Sequence, residues 1–315
     1  MYAIGIDIGG MSLKGGIVSK QGEIIRKVTV KTVTGSRSRL MNSLFELTSD
    51  LLNNSPISRD QLKSVGVGVP GTVEPYEGHL IYSNNIKVSH VDIGAGISQR
   101  FAVGCAVEND ANCAALGEMV FGCAKSMKNI VFITLGTGVG TGIVVNRKIH
   151  SGAGGAGGEG GHMVIKKGGL KCTCGRKGCW EAYASATALI RETTKAIKKY
   201  PDSLMSQIAK DEGKVSGRTA FRAAEKCDAQ AINVVDQYIE DVACGITNLV
   251  NIFRPDAVII GGGISNEGDF FINEIIKHVN RDSYGSTRNP ATKIVRAELK
   301  NDAGILGAAA LCLGN

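Results

Sequence analysis

Apolar positions near the start of the chain run in short blocks. YAIGIDI (2–8) and GGIVS (15–19) read as two strands joined by the turn at 9–14, and GEIIRKVTVKT from Gly22 supplies a third. Residues 37–53 instead space their apolar side chains three and four apart, which predicts a helix. SVGVGVP (64–70) is a short buried strand closed by Pro70 and Gly71. Ile93 to Arg100 reads as a helix before the strand VGCAVEND, and ANCAALGEMVFG (111–122) is rich in helix formers. The pattern then restarts with NIVFITLG (129–136), a strand entering a glycine loop, and TGIVVNRKI, its partner. An irregular stretch fills 150–180, most of 181–252 has a helical period, PDAVIIGGGIS gives another strand, and AGILGAAALCLG closes the chain as an apolar helix.

The expected fold class is therefore α/β, with two units of related design, each running from strands to helix. A glycine turn follows a core strand three times, in DIGG, LGTG and IGGG. The boundary is placed near Ala111, giving an N-terminal unit of residues 1–111 and a larger unit of 112–301. The last helix, about 302–315, returns to the first unit. One large α/β domain with three ordinary turns is the alternative.

Composition sharpens this picture in three places. The 42 glycines are about 13% of 315 residues against a usual ~7%, while only 6 prolines accompany them. That excess belongs to tight turns and close backbone approaches. The net charge of +7 is scattered, with few aromatic residues nearby to stack on bases, so a solvated surface is expected and no nucleic-acid partner. No apolar run approaches the ~20 residues of a membrane helix, and MYAIGIDIGG lacks the regions of a signal peptide. A cytoplasmic protein with no membrane partner is expected.

Four motifs carry chemistry. In DIGGMSLKGG, Asp7 ends a strand, and Gly9 and Gly10 let the backbone turn with its amides outward, an anion nest beside a carboxylate suited to the Mg²⁺ of a nucleotide. A plain hairpin turn capped by Asp7 fits the same residues. LGTGVGTG (135–142) lacks the Gly-Lys-Ser/Thr of a Walker loop and continues as a strand, so it reads as a hairpin phosphate loop in which Gly136, Thr137 and Gly138 offer donors. In VENDANCAALGE, Asn109 and Asp110 stand at a strand end, where Asp110 is either a general base or the N-cap of the next helix. GEGGH (158–162) and CTCGRKGCWE (172–181) bring His162, Cys172, Cys174 and Cys179 together, with Gly175 and Gly178 as turns. One imidazole and three thiolates make a closed structural Zn²⁺ site, preferred over a redox pair or free thiols. Glu159 and Glu181 flank it.

DIGG, GVGVPG (66–71), ENDAN, LGTGVGTG, GExGH and CxCGxxGCxE, in this order, resemble the ROK family of bacterial sugar kinases and repressors from Ile4 to Ala310. The family's repressors carry a helix-turn-helix before the DIGG strand; six residues precede Asp7 here, so the kinase branch is expected. The resemblance implies the actin-like ATPase fold, two ribonuclease H-like α/β domains holding ATP and sugar in the cleft between them. It makes Asp110 the general base and Asp7 the metal-facing acid. Gly9, Gly10, Met11, Lys14, Gly136, Thr137 and Gly138 fall to the phosphates, and Gly262 and Gly263 lie near the adenosine. Gly71, Asn85, Asn109, Glu159, His162 and Glu181 fall to the sugar, His162 with its other ring nitrogen on zinc. Met11 replaces the family's usual Thr, Gly160 an aliphatic residue, and the segment SNNIKVSH lacks the family's Pro and Trp around Asn85. The implied activity is transfer of the γ-phosphoryl of MgATP to a hexose, first the 6-OH of D-glucose. N-acetylmannosamine or another hexose, or a catalytically weak sugar-binding regulator, are the alternatives, and a homodimer or homotetramer is implied.

Overall fold

The computed structural model describes residues 1–10, 12–286, 288 and 291–314. Met11 lies outside them. The chain is mixed α/β, in the actin-like ATPase fold class expected from the sequence. Its contacts divide it into two compact units: residues 1–132, 142–158 and 298–315, and residues 133–141 and 159–297.

In the first unit, β1 (Tyr2–Ile8), β2 (Ser12–Ser19) and β3 (Ile24–Lys31) form the antiparallel meander that the apolar blocks predict. β4 (Leu62–Val69) pairs parallel with β1, and β8 (Gly104–Asn109) pairs parallel with β4, for a sheet ordered β3-β2-β1-β4-β8. Helix α1 (Arg37–Asn53) is N-capped by the Ser36 hydroxyl and buries Leu40, Leu44, Leu47 and Leu51 in the core that includes Ile4, Ile6 and Val67. A small antiparallel sheet of β5 (Thr72–Glu74), β6 (His79–Ser83) and β7 (Val88–Asp92) leads into α2 (Ile93–Phe101).

The unit boundary differs from the one expected near Ala111, because α3 (Asp110–Val120) stays with the first unit. The cause is backbone-to-backbone packing on α10 (Ala303–Leu313), the apolar closing helix. A Cβ on Gly307 would sit 1.6 Å from the Cys113 carbonyl oxygen, and one on Gly66 of β4 would sit 1.8 Å from that of Ala308. Only glycine allows α10 this close to both the sheet and α3.

A second five-stranded sheet is ordered β11-β10-β9-β12-β13, repeating the strand order of the first. It is built from β9 (Ile130–Leu135), β10 (Val139–Val145), β11 (Lys148–Ile149), β12 (Ala257–Gly261) and β13 (Lys293–Arg296). The helices of the second unit are α4 (Glu181–Ala184), α5 (Ala186–Lys199), α6 (Leu204–Asp211), α7 (Thr219–Ala224), α8 (Ala229–Phe253) and α9 (Asp269–Asp282). Among the described residues no helix is long and apolar enough to cross a membrane.

Candidate active site

In the first unit, Asp110 is the first residue of α3, directly after β8. The capping is done by its neighbour: Asn109 Oδ1 accepts the N–H groups of Ala111 (2.8 Å) and Asn112 (3.2 Å). That satisfies two of the orphan donors of the first turn. Asp110 also accepts the Ala111 N–H at its Oδ1 (2.9 Å), and its side chain is half-buried. Asn109 Nδ2 donates to the Gly71 carbonyl at 3.1 Å, so the structure brings Gly71, Asn109 and Asp110 together. Gly71 has φ +122°, and a Cβ there would lie 2.2 Å from the Tyr82 carbonyl oxygen, which presses the turn onto β6. Asn85 is exposed in the turn between β6 and β7.

Asp7 lies near the end of β1, opposite Lys14 of β2. Burial pushes its carboxyl above the usual range, and Lys14 partly offsets this. Gly9 closes the turn by donating its N–H to the Ser12 carbonyl (2.9 Å) and accepting the Thr32 hydroxyl (2.7 Å), while Gly10 is exposed with open space around its Cα. Gly304, a residue the sequence reading did not select, packs on this acid: a Cβ there would come within 2.6 Å of the Asp7 carboxyl carbon. The signal for it, a glycine in the first turn of an apolar helix, has no meaning until the partner is known.

In the second unit the LGTG turn is fastened to a helix start. Ala186 N–H donates to the Gly136 carbonyl (2.8 Å), and the Thr187 hydroxyl to that of Thr137 (2.8 Å). The Gly136 N–H, expected from sequence to face a phosphate, donates instead to the Gly138 carbonyl at 3.0 Å. Gly262 follows β12 with φ +84°, and a Cβ there would lie 2.4 Å from the Leu135 carbonyl oxygen, so the IGGG turn is brought against the LGTG turn. Gly263 starts a short 3₁₀ turn beside it.

His162, Cys172, Cys174 and Cys179 offer four ligand atoms that all lie within 4.8 Å of one another. His162 Nδ1 is 3.6 Å from Cys172 Sγ, and Cys174 Sγ is 3.7 Å from Cys179 Sγ. Those are edges of the tetrahedron that Zn–S bonds of about 2.3 Å define, whose S···S edge is about 3.8 Å. The residues fit the ion. Burial raises the thiols of Cys172 and Cys179, the latter to about 12, whereas the Arg176 N–H lowers that of Cys174. A bound cation reverses the burial effect, since coordinating thiols are deprotonated outright.

The cluster is anchored from both sides. Gly178, at φ +86°, meets the Lys166 carbonyl, and fully buried Trp180 donates Nε1–H to the Asp241 carbonyl of α8 at 2.8 Å. Glu181 links the cluster to the LGTG turn. Its Oε1 accepts the Thr173 hydroxyl (3.1 Å) and faces Cys172 Sγ (3.7 Å), and its Oε2 accepts the Val139 N–H (3.1 Å). Glu159 is exposed, 3.9 Å from the other nitrogen of His162. The structure thus gathers Glu159, His162, Glu181 and the three cysteines, and a Cβ on Gly138 would strike the Glu181 carboxylate at 2.3 Å. No sequence pattern announces the Glu181–Val139 bond.

A fold of this class with such glycine turns and an Asn-Asp helix start defines a family, and the comparisons agree. Residues 3–315 match the ROK family, and the chain belongs to it. A glucokinase of Halalkalibacterium halodurans is 34% identical over 97% of this chain and 93% of its own length. The crystal structure of a ROK family glucokinase from Streptomyces griseus in complex with glucose and AMPPNP is 30% identical, with a TM-score of 0.85 and 99% of both chains covered. The xylose repressor of Bacillus spizizenii is 30% identical over 99% of this chain and 77% of its own length.

Proposed function

We propose that the protein is an ATP-dependent hexose kinase that transfers the γ-phosphoryl of MgATP to a primary hydroxyl, with the 6-OH of D-glucose as the first candidate. The observation that carries the reading is the Gly71–Asn109–Asp110 arrangement, a carboxylate at a helix start beside an amide pinned by two caps and a carbonyl. Glucokinases of similar length and sequence support the substrate class.

Asp110 takes the proton as the hydroxyl oxygen forms its bond to the γ-phosphorus and the bond to the β-phosphate oxygen breaks, releasing ADP. Asn109 holds the turn, and Asn85, Glu159, His162 and Glu181 hydrogen-bond the remaining hydroxyls. The DIGG turn with Lys14, and the LGTG turn, receive the phosphates, with Gly262 and Gly263 toward the nucleoside. Asp7 is the oxygen donor for Mg²⁺, which when bound neutralises charge on the phosphates. His162, Cys172, Cys174 and Cys179 hold Zn²⁺, which when bound fixes the loop and takes no part in transfer.

A sugar-binding regulator is the second reading, favoured by the similarity to a xylose repressor. The two separate in one assay: ADP release from MgATP with glucose, N-acetylmannosamine, N-acetylglucosamine, mannose, fructose and allose. Turnover with one hexose supports the kinase. Calorimetric sugar binding with no ADP release from any of them supports the regulator.

A further inference from the structure

Glu108 is a carboxylate that the proposed reaction does not use, and it is only 4% exposed. Burying such a group is costly unless every lone pair is matched. Its Oε1 accepts the Asn109 N–H (2.8 Å) and Asn112 Nδ2–H (3.1 Å), and its Oε2 accepts the Ser151 hydroxyl (2.7 Å). Three donors converge on it at the start of α3, where a helix favours negative charge. Asn112, 3% exposed, presents its amide nitrogen to an acceptor-only group, so the orientation of its amide is fixed.

Ser151 opens the glycine segment that runs through Gly158 and enters the second unit at Glu159. The segment is folded on itself by Gly157 N–H donating to the Ser151 carbonyl (2.7 Å). It is pressed on β5, where a Cβ on Gly155 would lie 1.5 Å from the Val73 carbonyl oxygen. β5 in turn follows Gly71, the acceptor of Asn109 Nδ2–H. Glu108 therefore sits where the end of β8, the Gly71 turn and the Ser151 segment are tied into one ring of contacts.

We infer that Glu108 is a positioning residue that, through the Ser151 hydroxyl, fixes the base-bearing turn and the segment leading to Glu159 as one body. The inference rests on the kinase reading for its consequence, but not for its geometry. Full-length wild type, Ser151→Ala, Ser151→Thr, Glu108→Ala and the double alanine variant are compared by hydrogen exchange, glucose calorimetry and steady-state kinetics.

Ser151→Ala is expected to speed exchange at 109–112 as well as at 151–158. It weakens glucose binding and raises the glucose KM about tenfold, the size of a lost hydrogen bond to a charged group. The KM for MgATP stays unchanged, Ser151→Thr restores glucose binding, and the double variant is no worse than Glu108→Ala alone. Unaltered exchange at 109–112 in Ser151→Ala, or additive losses in the double variant, overturns the link. If wild type neither binds nor phosphorylates glucose, glucose fails as the substrate on its own, the hexose that turns over in the panel takes its place in these measurements, and exchange at 109–112 still decides this inference.

Discussion

The two regions that carry the proposed sugar ligands are held by opposite means. In the first unit the Asn109–Asp110 turn grows out of regular structure: a strand end, a capped helix and a carboxylate buried among three donors. In the second unit Glu159 and His162 stand on a glycine-rich loop with little regular structure and Glu181 opens the four-residue α4, all gathered around four candidate ligand atoms. The first region derives its rigidity from folding itself. The second brings four candidate ligand atoms within 4.8 Å of one another and is expected to gain its rigidity from a bound cation. One function is thus expected to depend on two separable supports.

The largest effect comes from removing the second support. Cys174→Ser, or chelation of the wild-type protein, should lose the metal and abolish sugar binding, with hydrogen exchange accelerated at 159–181 and unchanged at 104–120. Metal analysis and exchange by mass spectrometry check this, and a full complement of zinc in Cys174→Ser would remove that residue from the ligand set.

Next is a substitution confined to the first unit. Gly304→Ala drives a methyl into the Asp7 carboxyl and should cost about 1–3 kcal/mol of stability through forced repacking. The KM for MgATP should rise more than that for the sugar. Equal changes in both would show that Asp7 does not face the nucleotide.

The smallest effect is one of pH. Burial raises the Asp7 carboxyl, so between its ordinary value of 3.8 and its raised value the folded state binds more protons than the unfolded state. Stability contributed by this group therefore falls as pH rises through that window. Asp7→Asn, measured without Mg²⁺ by denaturant unfolding, should flatten that fall and leave the variant at least as stable as wild type at pH 7. A destabilised variant at pH 7 would mean that the carboxylate is stabilised by partners rather than strained by burial.

How much of this was legible in the sequence follows the same division. α1 announces itself by the helical period of its apolar positions, the meander by its short apolar blocks, and α3 and the closing helix as unbroken runs of helix formers and apolar residues. The small sheet of β5 to β7 does not, since its strands are only three to five residues long and are separated by turns that hold Pro75, Tyr76, Gly78, Asn84 and Asn85. The Cys/His cluster is legible because thiols so spaced have few other uses. By contrast the Glu108–Ser151 and Glu181–Val139 bonds join residues 43 and 42 positions apart, and Gly304 meets Asp7 across nearly the whole chain. Such pairs depend on the fold, and no local pattern encodes them. The Gly136 amide, a donor assigned to a ligand from its motif, bonds the Gly138 carbonyl within its own turn, a pairing that the motif does not announce either.

The role proposed for Asp110 is to take the proton from a bound hexose. Its most direct test is Asp110→Asn, with glucose calorimetry and ADP release measured side by side against wild type. The expected result is a glucose affinity within a few-fold of wild type and a turnover lowered by about 10²–10⁴, the usual contribution of a general base. Turnover near the wild-type rate in that variant would contradict it.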